Sequence, residues 1–113
     1  MHSFRLVETL AHMNLDLPSF RPVARAYLQD VAEFLEDMER ATLRRDHEAV
    51  ARSAQAMHRV ARLIHADELV RLAVQLEGVA QTGALDDLAS SLAALRAENN
   101  DVTEVLREIT DDE

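Results

Sequence analysis

Two glycines and two prolines are all that the chain contains in 113 residues, and this shortage of backbone breakers limits its fold more than any other feature. Glycine and proline supply most turns and helix stops. A chain so poor in them is expected to form long uninterrupted helices rather than a sheet with many turns. Proline is tolerated near a helix start, so Pro18 and Pro22 place the beginning of a long helix around Ser19. Gly83 is positioned to end another helix in a left-handed conformation.

Hydrophobic spacing fills in the elements. A short first helix carries Phe4, Val7, Leu10 and Ala11. The second, roughly 19 to 44, presents Val23, Tyr27, Val31, Phe34, Leu35 and Met38 on one stripe, with Arg25, Asp30, Glu33, Asp37 and Arg40 largely opposite. The third, from about Asp46 to Ile64, takes Asp46 as its N-cap and turns Val50, Ala54, Met57, Ala61 and Ile64 inward. A fourth carries Leu69, Leu72, Ala73, Leu76 and Val79 and ends at Gly83. A fifth carries Leu85, Leu88, Leu92, Leu95, Val102, Val105, Leu106 and Ile109. Asn99 and Asn100 interrupt that last pattern and suggest a kink, and the final "TDDE" is expected to fray. Four substantial helices with short connections predict an all-α, antiparallel up-down four-helix bundle, with the short N-terminal helix capping one end. One domain over 1–113 is expected, its bundle spanning about 18–109.

Composition removes several function classes. Without cysteine there are no disulfides, thiolate metal sites or cysteine nucleophiles. None of His2, His12, His47, His58 and His65 is paired at the i, i+4 spacing of a zinc-binding helix, so no metal and no cofactor are expected. A net charge of −9 argues against nucleic acid, which needs a dominant basic face, and against anionic lipid. No run of about 18 apolar residues and no signal-peptide-like start is present, so a cytoplasmic protein is expected. The carboxylates Glu33, Glu36, Asp37 and Glu39 read as a solvated face.

Against this acidic background one stripe stands out. Arg52, Gln55, Arg59 and Arg62 succeed one another by three, four and three residues and so share one outward face of the third helix. A charged stripe on an exposed helix is commonly no more than solvated surface. This one is purely cationic on a strongly acidic chain, an asymmetry suited to orienting an acidic partner.

From Pro18 to about Ile109 the chain resembles a histidine-containing phosphotransfer (Hpt) domain, the helical relay of multistep two-component signalling. The resemblance runs through "AQAMHRVA", Ala54 to Ala61, then Ile64, His65 and Ala66, then "LE" at Leu76 and Glu77, and the "TGALDDL" turn. Aligned in this way, Gln55 occupies the place of the family's phosphorylated histidine, His58 that of its lysine, Arg59 its first glycine and His65 its second. Gln55 cannot accept a phosphoryl group, because its amide nitrogen lone pair is delocalised into the carbonyl, whereas imidazole with its pKa of about 6.5 offers a free lone pair near neutrality. Arg59 would fill the space that a glycine leaves for a docking partner. His58 lies about 4.5 Å along the helix from Gln55 and about 60° around it, a displacement that in-line attack over about 3 to 3.5 Å tolerates poorly.

The resemblance therefore implies a degenerate member that binds receiver domains of response regulators, or sensor histidine kinases, without relaying phosphate. Arg52, Gln55, His58, Arg59 and Arg62 form the expected contact, since guanidinium groups pair bidentately with a receiver's acidic pocket. Met57, Tyr27 and Phe34 are candidates for the less polar part of it. Two alternatives stand beside this reading: an active carrier using His58, or less readily His65, and a helical interaction module outside phosphorelay. His65, at a helix end, is expected to interact with the last carbonyls of the third helix. Oligomeric state is open, since the first helix or an apolar edge would suit pairing of two copies.

Overall fold

The computed structural model describes residues 4–83 and 85–110, with the side chain of Leu85 excluded. The expected inward placement of Leu85 and the fraying of residues 111–113 lie outside the described residues. Five helices follow in order: α1 (Leu6–Met13), α2 (Leu17–Leu43), α3 (His47–Leu63), α4 (Asp67–Thr82) and α5 (Leu85–Thr110). No strand occurs among the described residues. The fold is the all-α helical bundle with a short N-terminal helix that periodicity predicts.

Contacts run from α2 to α3, α3 to α4, α4 to α5 and α5 back to α2, closing a four-helix ring. Helices of 27 and 26 residues rise about 40 Å at 1.5 Å per residue, and they set the long dimension of a body measuring 42 × 22 × 22 Å. The middle helices, with 17 and 16 residues, are too short to match them. α1 packs at the end so left open, where the Thr9 hydroxyl donates to the Ile64 carbonyl at 2.9 Å and Phe4 and Phe20 are buried.

Buried residues on α3 are Val50, Ala54, Met57 and Ala61, each with no exposed surface. On α4 they are Leu69, Ala73, Leu76 and Ala80. Alanines recur on the facing sides of both helices, which lets the two backbones approach closely. Leu88, Leu95, Val102 and Leu106 complete the core from α5. Val7, expected on the inward face of α1, is 80% exposed. Leu6, Thr9, Leu10 and Met13 of this eight-residue helix, with Phe4 just before it, do the packing instead.

Local sequence chemistry explains the helix ends. α2 starts at Leu17, two residues before the expected Ser19, because Asp16 rather than Ser19 is the N-cap: its carboxylate accepts from the Ser19 backbone N–H at 2.8 Å. Pro18 falls in the first turn, where its missing donor costs nothing, while Pro22 lies inside the helix. α3 is capped as expected, with Asp46 accepting from the Ala49 N–H. Three helices end on residues with left-handed backbone that are not glycine: Asn14 (φ 54°), Arg45 (φ 57°) and His65 (φ 57°). At each, the paired return hydrogen bonds of a Schellman turn satisfy the final carbonyls, as with Ala66 N–H to Ala61 and His65 N–H to Arg62. α4 ends on Gly83 at φ 75°, as expected.

α5 continues as helix through Asn99 and Asn100. Asn99 is buried and its side-chain oxygen accepts from the Tyr27 hydroxyl at 2.9 Å. The departure from apolar periodicity thus marks a polar bond through the core between α2 and α5. Burial, with Glu98 adding to it, pushes the Tyr27 phenol well above its ordinary range, so it stays a neutral donor.

Candidate functional site

Burial of positions 50, 54, 57 and 61 dictates the opposite face of α3. Arg52, Gln55, Arg59 and Arg62 are all exposed along its crest, and His58 is half-buried on the flank. The five residues of the expected contact thus belong to one helix face and its edge. Of the candidates for apolar contact, Met57 is fully buried and Tyr27 is 3% exposed. Both are core residues, held there by the α3 period and by the Asn99 bond, and neither is available to a partner. Phe34 is half-buried.

The electrostatics of the crest are uneven. Arg52 and Arg59 meet no carboxylate among the described residues, in contrast to Arg40, which sits 2.6 Å from Asp37, and Arg71, which bonds Glu68. Arg62 Nη2 lies 2.7 Å from His58 Nε2. A guanidinium only donates, so Nε2 is the acceptor, and a neutral His58 carries its proton on Nδ1. Its ring then offers no uncommitted lone pair. Sequence reasoning missed this contact, although the i, i+4 spacing of His58 and Arg62 was the signal for it.

Two grooves flank the crest. Toward α4 lies one of about 480 Å³, lined by Arg52, Gln55, Glu77 and Gln81 among others. His47 also lines it, with a buried Nδ1 that has no hydrogen-bond partner. Toward α2 and nearer the α2–α3 turn lies one of about 230 Å³. Arg52 borders both. Where α3 ends, the His65 ring stacks on His12 of α1, with centroids 4.9 Å apart. The contact with the final carbonyls of α3 is made by the His65 backbone N–H, not by its ring.

The left-handed backbone at His65 bears on the alignment. An L-residue in that conformation costs about 1 to 2 kcal/mol, and glycine is the residue that adopts it freely. The resemblance places a family glycine at this position. The left-handed backbone at His65 is compatible with a glycine aligned there.

No group of three or more histidine, aspartate or glutamate side chains able to hold a metal occurs among the described residues, and no described helix is long and apolar enough to cross a membrane. No curated protein and no solved structure matches the chain. The profile of the Hpt domain matches residues 23–107, a span from the first turns of α2 almost to the end of α5 that includes the whole crest of α3. The chain belongs to the Hpt domain family, the helical modules of two-component phosphotransfer.

Proposed function

We propose that this Hpt-family chain is a docking module that has lost the relay step: it binds a receiver domain, or the receiver portion of a sensor histidine kinase, without accepting phosphate. The observation that carries this reading is the exposed Gln55 at the centre of the α3 crest, flanked by Arg52 and Arg59, which have no carboxylate partner among the described residues. An amide there can donate and accept hydrogen bonds but cannot attack phosphorus. Unpaired guanidinium groups beside it suit the acidic cluster that a receiver presents around its cation. Binding without turnover makes the protein an inhibitor, a sequestering partner or a scaffold, acting in the cytoplasm.

His58 is the one imidazole on this face. The Arg62 guanidinium at its Nε2 would have to swing away before that nitrogen could serve as a nucleophile, which weighs against an active carrier. The reading is tested by titrating the protein with a panel of receiver domains. Saturable binding to at least one, weakened tenfold or more by Arg59→Glu, is expected. Absence of binding to any receiver, or indifference to Arg59→Glu, refutes the docking role.

A further inference from the structure

The arginines of this chain differ in their company. Arg5, Arg40, Arg71 and Arg96 each meet a carboxylate: Glu8, Asp37 with Glu36, Glu68 and Glu39 respectively. Arg44 and Arg52 meet none among the described residues. Arg44 caps the end of α2 and Arg52 belongs to α3, and the two border the same groove of about 230 Å³ beside the α2–α3 turn, with Arg40, Ser53, Ala49 and Asp37 as its other walls. Arg40 lies in the last turn of α2 and Arg44 is the capping residue just beyond its end, and Arg52 and Ser53 come across from α3.

The charges there do not cancel. Asp37 pairs with Arg40 at 2.6 Å, so within the wall itself these two charges offset each other; Glu36, outside the lining, stands 3.8 Å from the same guanidinium. The positive charges of Arg44 and Arg52 remain, facing a shared concavity in which each repels the other unless an anion lies between them. A single carboxylate brings one charge and two oxygens to such a place. A phosphate monoester dianion brings two charges and three terminal oxygens, matching two guanidinium forks and one hydroxyl. Long polyanions fit poorly, since a chain of net charge −9 repels them outside this corner.

We propose that the groove between Arg44, Arg52 and Ser53 is a binding site for a phosphate monoester dianion, either free in solution or borne on a phosphorylated side chain. Both guanidinium groups donate to terminal phosphate oxygens, and the Ser53 hydroxyl donates one further hydrogen bond. The site does not depend on the docking role of Gln55 and Arg59. Arg52 serves both surfaces, but Arg44 borders only this groove, so Arg44 variants separate the two proposals.

The test is an NMR titration of the full chain with O-phosphoserine above about pH 7, where the ester is dianionic, read at the arginine side-chain N–H and residue 44–53 amide resonances. Expected are saturable shifts centred on Arg44, Arg52 and Ser53, affinity reduced about tenfold by Arg44→Gln through loss of a charge-assisted bond, and no change with Arg59→Gln. Tighter binding of a phosphoserine peptide than of O-phosphoserine would support the site and assign a protein-borne group; equal binding would support it and assign a free ester. Shifts that never saturate, that acetate reproduces at matched ionic strength, or that Arg44→Gln leaves unaltered would overturn the proposal.

Discussion

Single side chains decide what this helical face can do. Gln55 and Met57 are two residues apart, yet one is exposed and the other has no accessible surface. Met57→Ala is therefore expected to cost about 2 to 5 kcal/mol in denaturant unfolding, the usual penalty for a core cavity, whereas Gln55→Ala should leave stability nearly unchanged. Tyr27→Phe removes the donor to Asn99 and leaves a buried amide oxygen unpaired, with an expected loss of about 1 to 3 kcal/mol. Asn99→Leu made together with Tyr27→Phe should cost less than the sum of the single changes, a coupling that a double-mutant cycle measures. The exposed stripe and the buried positions of α3 were legible because a period of three and four residues sorts side chains by face. The pairing of Tyr27 with Asn99 was not legible, since residues 72 apart in sequence meet only through the fold.

At the scale of elements, helix existence followed from hydrophobic spacing, while boundaries followed from caps. Asp46 was readable as the cap of α3, but Asp16 was hidden behind the more conspicuous prolines, and the start of α2 moved by two residues as a result. Hydrogen bonds from Ser19 hold the Asp16 carboxyl below its ordinary value of 3.8. A carboxylate with a depressed folded pKa stabilises above its unfolded pKa, and that contribution is lost as pH falls through the folded value. Asp16→Asn, which caps without titrating, should flatten the acid limb of a stability profile below about pH 4, measured by urea unfolding at several pH values. Arg45 at φ 57° is strained for an L-residue. Arg45→Gly is thus expected to stabilise the turn between α2 and α3 by about 1 kcal/mol, read as a raised melting temperature; an unchanged or lowered one would deny the strain.

Over the whole molecule, a negative total charge surrounds a local cationic crest. Such a field orients an acidic partner onto one spot, and salt screens it over about 8 Å at physiological ionic strength. The family was legible because the motif residues recur through α3 and α4 together, and the match over residues 23–107 bears the family out. What the family resemblance left open was whether any histidine on the crest has a free nitrogen, since that depends on where the Arg62 side chain lies. The most direct test of a docking module without relay chemistry is phosphoryl transfer from receiver domains charged with acetyl phosphate. The account predicts no acid-labile label on the wild type and label on the Gln55→His, Arg59→Gly double variant. Label on the wild type that disappears in His58→Ala would contradict it.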